Sequence, residues 1–332
     1  MKPTAAVLLL MTTAIVATSC GGPGDPASSP SESPAARTPH DMTITLPPKA
    51  RPTALAYAGD GSLWVTEMSL GAVARVDAQG HVQQYRIPGQ SNDPSGILRG
   101  PDDKMWFVGF EVIGVVDSSG RMTGWQTGAG STLGLPVSFT TGPDGSVWYT
   151  DSSTPSVRRV SPNQQPTVVA ALPDRAAYTF PSAAITTGPD HAVWFAMSNS
   201  NQGPDVIERV ERGGRVSSWN LPPTSIPWDI VVGPDQALWF SERTGIGRIT
   251  VAGEISHYPV PGGQRPQSIV SGPDGKLWFT TPTQLGEITT SGQVSLTTVP
   301  GAKALRAILP ARDGGFWLTD TTTDTIHHLT LG

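Results

Sequence analysis

One cysteine, Cys20, stands in the whole 332-residue chain. An intramolecular disulfide is therefore impossible, and a paired Cys-x-x-Cys redox or zinc motif is excluded with it. Charge is sparse too. Charged residues make up 15% of the sequence, the formal net charge is −5 and the sequence pI is about 5.6. No basic stripe is visible, which argues against a nucleic-acid partner. There is no His-Glu-x-x-His motif and no glycine-rich phosphate loop, and the glycine-rich character comes from turns. The apolar stretch Ala5–Ala17 is too short for a comfortable transmembrane span.

That stretch follows Lys2, the one charge in residues 1–20, and runs into Ala17-Thr18-Ser19-Cys20. A short apolar run closed by small residues reads as a secretory leader. The placement of Cys20 resembles a bacterial lipobox, which implies that the cysteine becomes a lipid-modified mature N-terminus. An ordinary leader with an incidental cysteine is the alternative. Residues 21–41 are rich in Pro, Ser, Gly and Ala and have little to bury. They read as a flexible tether between a membrane and the domain 42–332. The expected location is extracytoplasmic, with the protein lipid-anchored to the bacterial cell membrane as a monomer.

What the chain does have is a repeated stretch. Gly272-Pro273-Asp274-Gly275-Lys276-Leu277-Trp278-Phe279-Thr280 is repeated at Gly142–Thr150 and, more loosely, at Gly233–Ser241. Further copies align on one tryptophan each: Trp64, Trp106, Trp148, Trp194, Trp239, Trp278 and Trp317. The steps between them are 42, 42, 46, 45, 39 and 39 residues. Gly-Pro-Asp-Gly is a turn, with proline presetting φ at the second position. Leu277, Trp278 and Phe279 are consecutive and apolar, so their strand has both faces buried. A blade between two neighbouring blades meets that need. Each repeat holds four short strands, and this predicts an all-β, seven-bladed β-propeller. The longer steps place insertions at Asn163–Phe180 and Ser198–Pro204, read as enlarged loops.

The last repeat has three strands, Leu305–Leu309, Gly315–Asp320 and Thr325–Leu329, and then the chain stops. Met42–Leu46 has the pattern of an outer strand with no blade of its own. It is expected to pair with Thr325–Leu329 and close the ring. The seven aligned tryptophans are expected to pack between blades, each burying on the order of 150–250 Å². Trp125 and Trp219 are expected to cover blade edges.

Residues that follow the leading proline of each inner strand should line one mouth of the central tunnel. Thr53, Ser95, Val137, Ala183, Trp228, Gln267 and Arg306 form this set. Residues after the Trp-Phe-Thr run should reach the same face, and they include the carboxylates Glu67, Asp151, Glu242 and Asp320. The expected site is a polar funnel with Trp228 as an aromatic platform. Thr53, Trp228, Gln267, Arg306 and Asp320 are its ligand-binding candidates. Asp320, Glu67 and Glu242 are the candidates for acid–base work. Arg306 is expected to pair with Asp320 or Glu67. A solvated rim with no ligand is the plain alternative.

The repeat, together with Ile246-Gly247-Arg248-Ile249 and Tyr258-Pro259-Val260-Pro261, resembles the virginiamycin B lyase (streptogramin lyase) family over residues 42–332. The resemblance implies a seven-bladed propeller. It implies opening of a cyclic depsipeptide ester by elimination, aided by Mg2+. In the family a general-base histidine follows a proline at the start of the last inner strand. Here that run reads Ala304-Leu305-Arg306-Ala307-Ile308. A second family histidine corresponds to Gln267, and a tyrosine of the first blade corresponds to Thr53. A family glutamate survives as Asp320. A base needs a pKa near the working pH, and arginine stays protonated. None of the six histidines falls at the expected site. Three functions follow as expectations. One is a binding propeller for a small-molecule or peptidic ligand, without lyase activity. Another is a divergent, metal-assisted carbon–oxygen lyase. The third is a protein-interaction platform built on the long loops of blades three and four.

Overall fold

The computed structural model describes residues 40–89, 93–110, 112–126, 136–162, 164–172, 185–199 and 204–330. Cys20, the leader and the tether up to residue 39 lie outside them, as does Ala183. Among the described residues the strands form seven four-stranded antiparallel sheets. In each of the first six blades, four consecutive strands run from the inner edge to the outer one. Blade five is typical, with Ile230–Val232, Leu238–Ser241, Gly245–Ile249 and Ile255–Pro259. Each inner strand packs beside the inner strand of the next blade. Leu305–Pro310 of the last blade returns to Pro52–Tyr57 of the first, so the ring closes.

The closure is the expected one. His40–Thr45 is the outer strand of blade seven, with Met42 facing His328, Thr43 facing His327, Ile44 facing Ile326 and Thr45 facing Thr325. The strand starts at His40, ahead of Met42. Ile44 and Leu46 are buried in a cluster with Leu55, Val65 and Ile326, which joins the last blade to the first.

The second strands explain the repeat. Leu63–Glu67, Met105–Gly109, Val147–Asp151 and Val193–Met197 are buried along their whole length. Only a sheet covered on both faces can accept such strands. Five of the aligned tryptophans are buried to 1% exposure or less, whereas Trp317 is half-buried. The turn aspartate does more than shape the turn. Asp144, Asp190, Asp235 and Asp274 each accept the indole N–H four residues on, at 2.8–3.0 Å. A third-strand arginine closes the group in blades three to five, as in Arg248 Nε to Asp235 at 2.7 Å. The glycine that opens the turn is required by the same indole. A Cβ on Gly233 would lie 2.4 Å from Trp239 Cδ1. Outer-strand aromatics cover the tryptophans: Trp219 stacks on Trp194 at 5.0 Å and Tyr258 on Trp239 at 5.4 Å.

One sequence expectation needs correcting here. The insertion Asn163–Phe180 is not all loop, because Thr167–Ala171 inside it is the outer strand of blade three. Its Val168 is exposed, so the strand lacks the buried pattern that marks the second strands.

Candidate functional site

At one mouth of the ring the inner strands begin irregularly. Their pairing with the second strands slips between Pro52 and Leu55, Pro94 and Gly96, Pro136 and Ser138, and Leu305 and Ile308. Such bulges re-aim side chains. Residues at these slips line a central cavity of about 190 Å³, to which inner strands of six blades contribute. Thr53, Ser95, Trp228, Gln267 and Arg306 all line it, as the repeat suggests. Blade three contributes Ser138 where Val137 was expected. The bulge itself accounts for that one-residue shift.

The threonine of the Trp-Phe-Thr run holds these strand heads in place. Thr280 Oγ1 donates to the carbonyl of Arg306 at 2.6 Å, and Ser241 Oγ donates to the carbonyl of Gln267 at 3.0 Å. In blade one, Thr53 Oγ1 bonds Thr66 Oγ1 at 2.8 Å and donates to the carbonyl of Pro94 at 3.1 Å. The three bonds to carbonyls each run to the next blade, so the strand head that carries Arg306 is fixed by blade six.

Arg306 is half-buried, and its guanidinium lies 5.3 Å from the centre of the Trp228 ring. Arg265 lies over the same ring at 5.0 Å. Trp228 is half-exposed, unlike the core tryptophans. Burial lowers the Arg306 pKa, and the charges of Arg51 and Arg265 add to this, while Asp229 opposes it. Asp229 is the acid of this group and is almost wholly buried. Its Oδ1 accepts from Ile230 N at 2.9 Å, and its Oδ2 accepts from Ser268 Oγ at 2.7 Å and Ile269 N at 3.0 Å. Burial pushes its carboxyl up to about 6, against the pull of those hydrogen bonds and of Arg306.

The other carboxylates do not join this group. Asp320 accepts four backbone N–H bonds: Lys303 and Ala304 on Oδ2, Thr322 and Thr323 on Oδ1. Those donors outweigh burial and hold its pKa below the usual carboxylate range. Glu67 is buried between blades, where one oxygen meets the Gln84 amide and the other, Oε1, has no hydrogen-bond partner. Burial raises its pKa. Glu242 meets His257 Nδ1 at 2.6 Å. Arg306 pairs with neither Asp320 nor Glu67, contrary to expectation. The second strands end near the mouth, but their last side chains turn into the blade interfaces and outward along the sheet.

The virginiamycin B lyase family model matches residues 38–202 and 179–332. This chain belongs to the virginiamycin B lyase family. It is 30% identical over 195 residues to virginiamycin B lyase of Nocardia farcinica, a match that covers 58% of this chain and 64% of that relative, just under two thirds of its length. The crystal structure of virginiamycin B lyase from Staphylococcus aureus superimposes with a TM-score of 0.78 at 25% identity. That likeness covers 89% of this chain and 100% of the other. A catalytically inactive histidine-to-alanine variant of the Staphylococcus aureus enzyme, crystallised with quinupristin, matches with a TM-score of 0.77 at the same identity.

Mg2+ wants several oxygen ligands, carboxylates among them. Among the described residues no group of three or more His, Cys, Asp or Glu side chains comes together to hold a metal. Arg306 is the one charged side chain among the cavity's described lining residues, and the nearby Asp229 oxygens are already committed. The described residues at the cavity therefore do not fit a divalent cation. Sequence reasoning did not nominate Arg51, Arg265 or Ser268 as site residues. The signal for the two arginines was available, since Arg51 and Arg265 each precede the leading proline of an inner strand.

Proposed function

We propose that this chain is a binding propeller of the virginiamycin B lyase family. It holds a small or peptidic ligand at its central cavity and lacks the ring-opening activity of the lyases. The observation that carries this is Arg306. It heads the last inner strand, over Trp228, where the family resemblance implies the general-base histidine. A guanidinium keeps its proton at any working pH and cannot abstract another. Purified protein incubated with quinupristin is expected to give no linear product by mass spectrometry. Arg306→His alone is expected to give none either, because Gln267 and Thr53 still replace the other family residues. Linear product from the unmodified protein, above a protein-free control, would refute the proposal.

A divergent lyase is the second reading, and one observation favours it. The Asp229 carboxyl is pushed up to about 6, within the range of a general base near neutral pH. Its three hydrogen bonds oppose that role, since proton transfer to it would compete with Ser268 Oγ and two backbone N–H groups. Linear product that disappears in Asp229→Asn would favour this reading.

Placement at the membrane rests on residues 1–20. Cys20 follows the apolar stretch after Thr18-Ser19, and it is the one thiol of the chain. One acyl chain of myristoyl length gives marginal attachment, and firm anchoring takes two signals. A diacylglycerol thioether supplies two chains. Cys20→Ser is expected to move the protein from the membrane pellet to the soluble fraction of expressing cells. Unchanged fractionation would rule out the anchor.

A further inference from the structure

Two residues into their inner strands, after Pro52, Pro94, Pro136, Pro266 and Leu305, five blades carry Ala54, Gly96, Ser138, Ser268 and Ala307. All five of these small residues line the central cavity. In blade five the same position holds Asp229, an almost wholly buried acid. Its carboxyl turns to blade six, where Oδ2 meets Ser268 Oγ at 2.7 Å and Ile269 N at 3.0 Å. Oδ1 meets Ile230 N at 2.9 Å, and the Asp229 backbone N–H is held by Ser241 Oγ at 3.1 Å. The charged group among those that act on the carboxyl is Arg306 of blade seven. Ser268 is the partner that joins this acid to the cavity. It is half-buried in the cavity wall, and its Oγ makes one hydrogen bond among the described residues, the one to Asp229.

The sense of that hydrogen bond depends on the proton of the acid. An ionised carboxylate only accepts. Ser268 then gives its one proton to Oδ2 and keeps its lone pairs for the cavity. A protonated carboxyl has an O–H to place. Ile230 N and Ile269 N are amide donors and cannot receive it, whereas Ser268 Oγ can. Ser268 then accepts from Oδ2 and turns its own O–H to the cavity.

We propose that Asp229 is a specificity-determining positioning residue. Through Ser268 it makes the cavity wall an acceptor for the ligand when the carboxyl is ionised and a donor when it is protonated. This rests on the funnel-binding reading above and names the group that the ligand carries there. Beside Ser268 the ligand presents a hydroxyl or N–H donor while Asp229 is ionised. Burial, which pushes the carboxyl up to about 6, puts the exchange within reach of mildly acid conditions.

Two one-ring probes separate the senses, in keeping with a cavity of about 190 Å³. Benzyl alcohol donates and accepts, and benzyl methyl ether only accepts. Carbon-13 NMR of the full chain, labelled at the aspartate carboxyls, is expected to show Asp229 titrating at about 6. Ser268→Ala is expected to move that midpoint up, because the serine hydroxyl favours the ionised form. In NMR titrations at pH 7.5 the alcohol is expected to bind about fivefold or more tightly than the ether, with parity at about pH 5. Ser268→Ala is expected to abolish the preference. Asp229→Asn, which does not titrate, is expected to hold the alcohol-to-ether ratio constant over this range. A merely structural clamp would move both affinities together and leave their ratio independent of pH. A midpoint below pH 4.5, or one unmoved by Ser268→Ala, overturns the proposal. So does an alcohol-to-ether ratio in the unmodified chain that stays constant with pH. Binding of neither probe also overturns it, and quinupristin in the same titration then decides whether the funnel binds at all.

Discussion

A chain shortened to begin after Pro47 is expected to melt far below one that begins at Thr38. The longer chain keeps His40–Thr45, the outer strand of blade seven, and the shorter one loses it. Three losses add together. Ile44 and Leu46, 8% and 3% exposed, leave the cluster that joins the last blade to the first. Each contributes about 2 kcal/mol by burial. The backbone bonds to Thr325–Thr330 go with them, along with the bond from Leu46 N to the Asp324 carbonyl. Each of these is worth about 1 kcal/mol net. Finally, Thr325–Thr330 becomes an open edge, ready to pair with another chain. These add to roughly 10 kcal/mol, and the backbone entropy that the freed segment regains offsets part of it, which leaves on the order of 5–8 kcal/mol, a large share of the roughly 5–15 kcal/mol that holds a typical domain. At about 2 °C per kcal/mol for a domain of this size, the melting temperature should fall by roughly 10 °C or more, with aggregation. Differential scanning calorimetry on the two truncations checks this. Equal melting temperatures would mean that the pairing contributes nothing to the ring.

Closure was legible in the sequence because it is a matter of counting strands: three in the last repeat and one spare at the start. The blades were legible because each carries a tryptophan in an uninterrupted apolar run, and such runs are rare outside strands covered on both faces. The mouth of the cavity was legible in part. Thr53, Trp228, Gln267 and Arg306 could be placed by alignment to the repeat, since a leading proline marks where most inner strands begin. Ser138 was missed because a bulge adds a residue without leaving a trace in the pattern. The carboxylates were misjudged for a different reason. Repeat alignment tells where Glu67, Glu242 and Asp320 sit along their strands, but not to which side of the pleat they turn. Their partners, Gln84, His257 and the 303–304 and 322–323 backbone, are set by the tertiary fold. The exchange of roles is physical. An acid at the end of a buried second strand must find donors nearby or suffer desolvation, so it serves the blade. An arginine at the head of an inner strand has the central cavity beside it, so Arg306 sits among the lining residues.

That division predicts opposite outcomes for two tryptophans in one blade-length of chain. Trp239→Ala is expected to destabilise the protein by about 3–5 kcal/mol, the usual range for removing a buried tryptophan. Trp239 is fully buried, stacks on Tyr258 at 5.4 Å and donates its indole N–H to Asp235 at 2.8 Å. Its removal opens a cavity beside Gly233, whose missing Cβ leaves nothing to collapse into the space. Asp235 also loses a hydrogen-bond donor. Trp239→Phe keeps part of the packing and should cost less, about 1–3 kcal/mol, for the lost indole hydrogen bond to Asp235 and the smaller ring. Trp228→Ala, on a half-exposed ring whose main contacts are Arg265 and Arg306, should cost about 1 kcal/mol or less. Its effect should instead appear in binding, as a loss of affinity for whatever ligand the mouth accepts. Chemical denaturation of the three variants, read beside their titrations, separates the roles. Similar stability losses for Trp228→Ala and Trp239→Ala would show that Trp228 belongs to the core after all, and the case for a binding platform at the mouth would go with it.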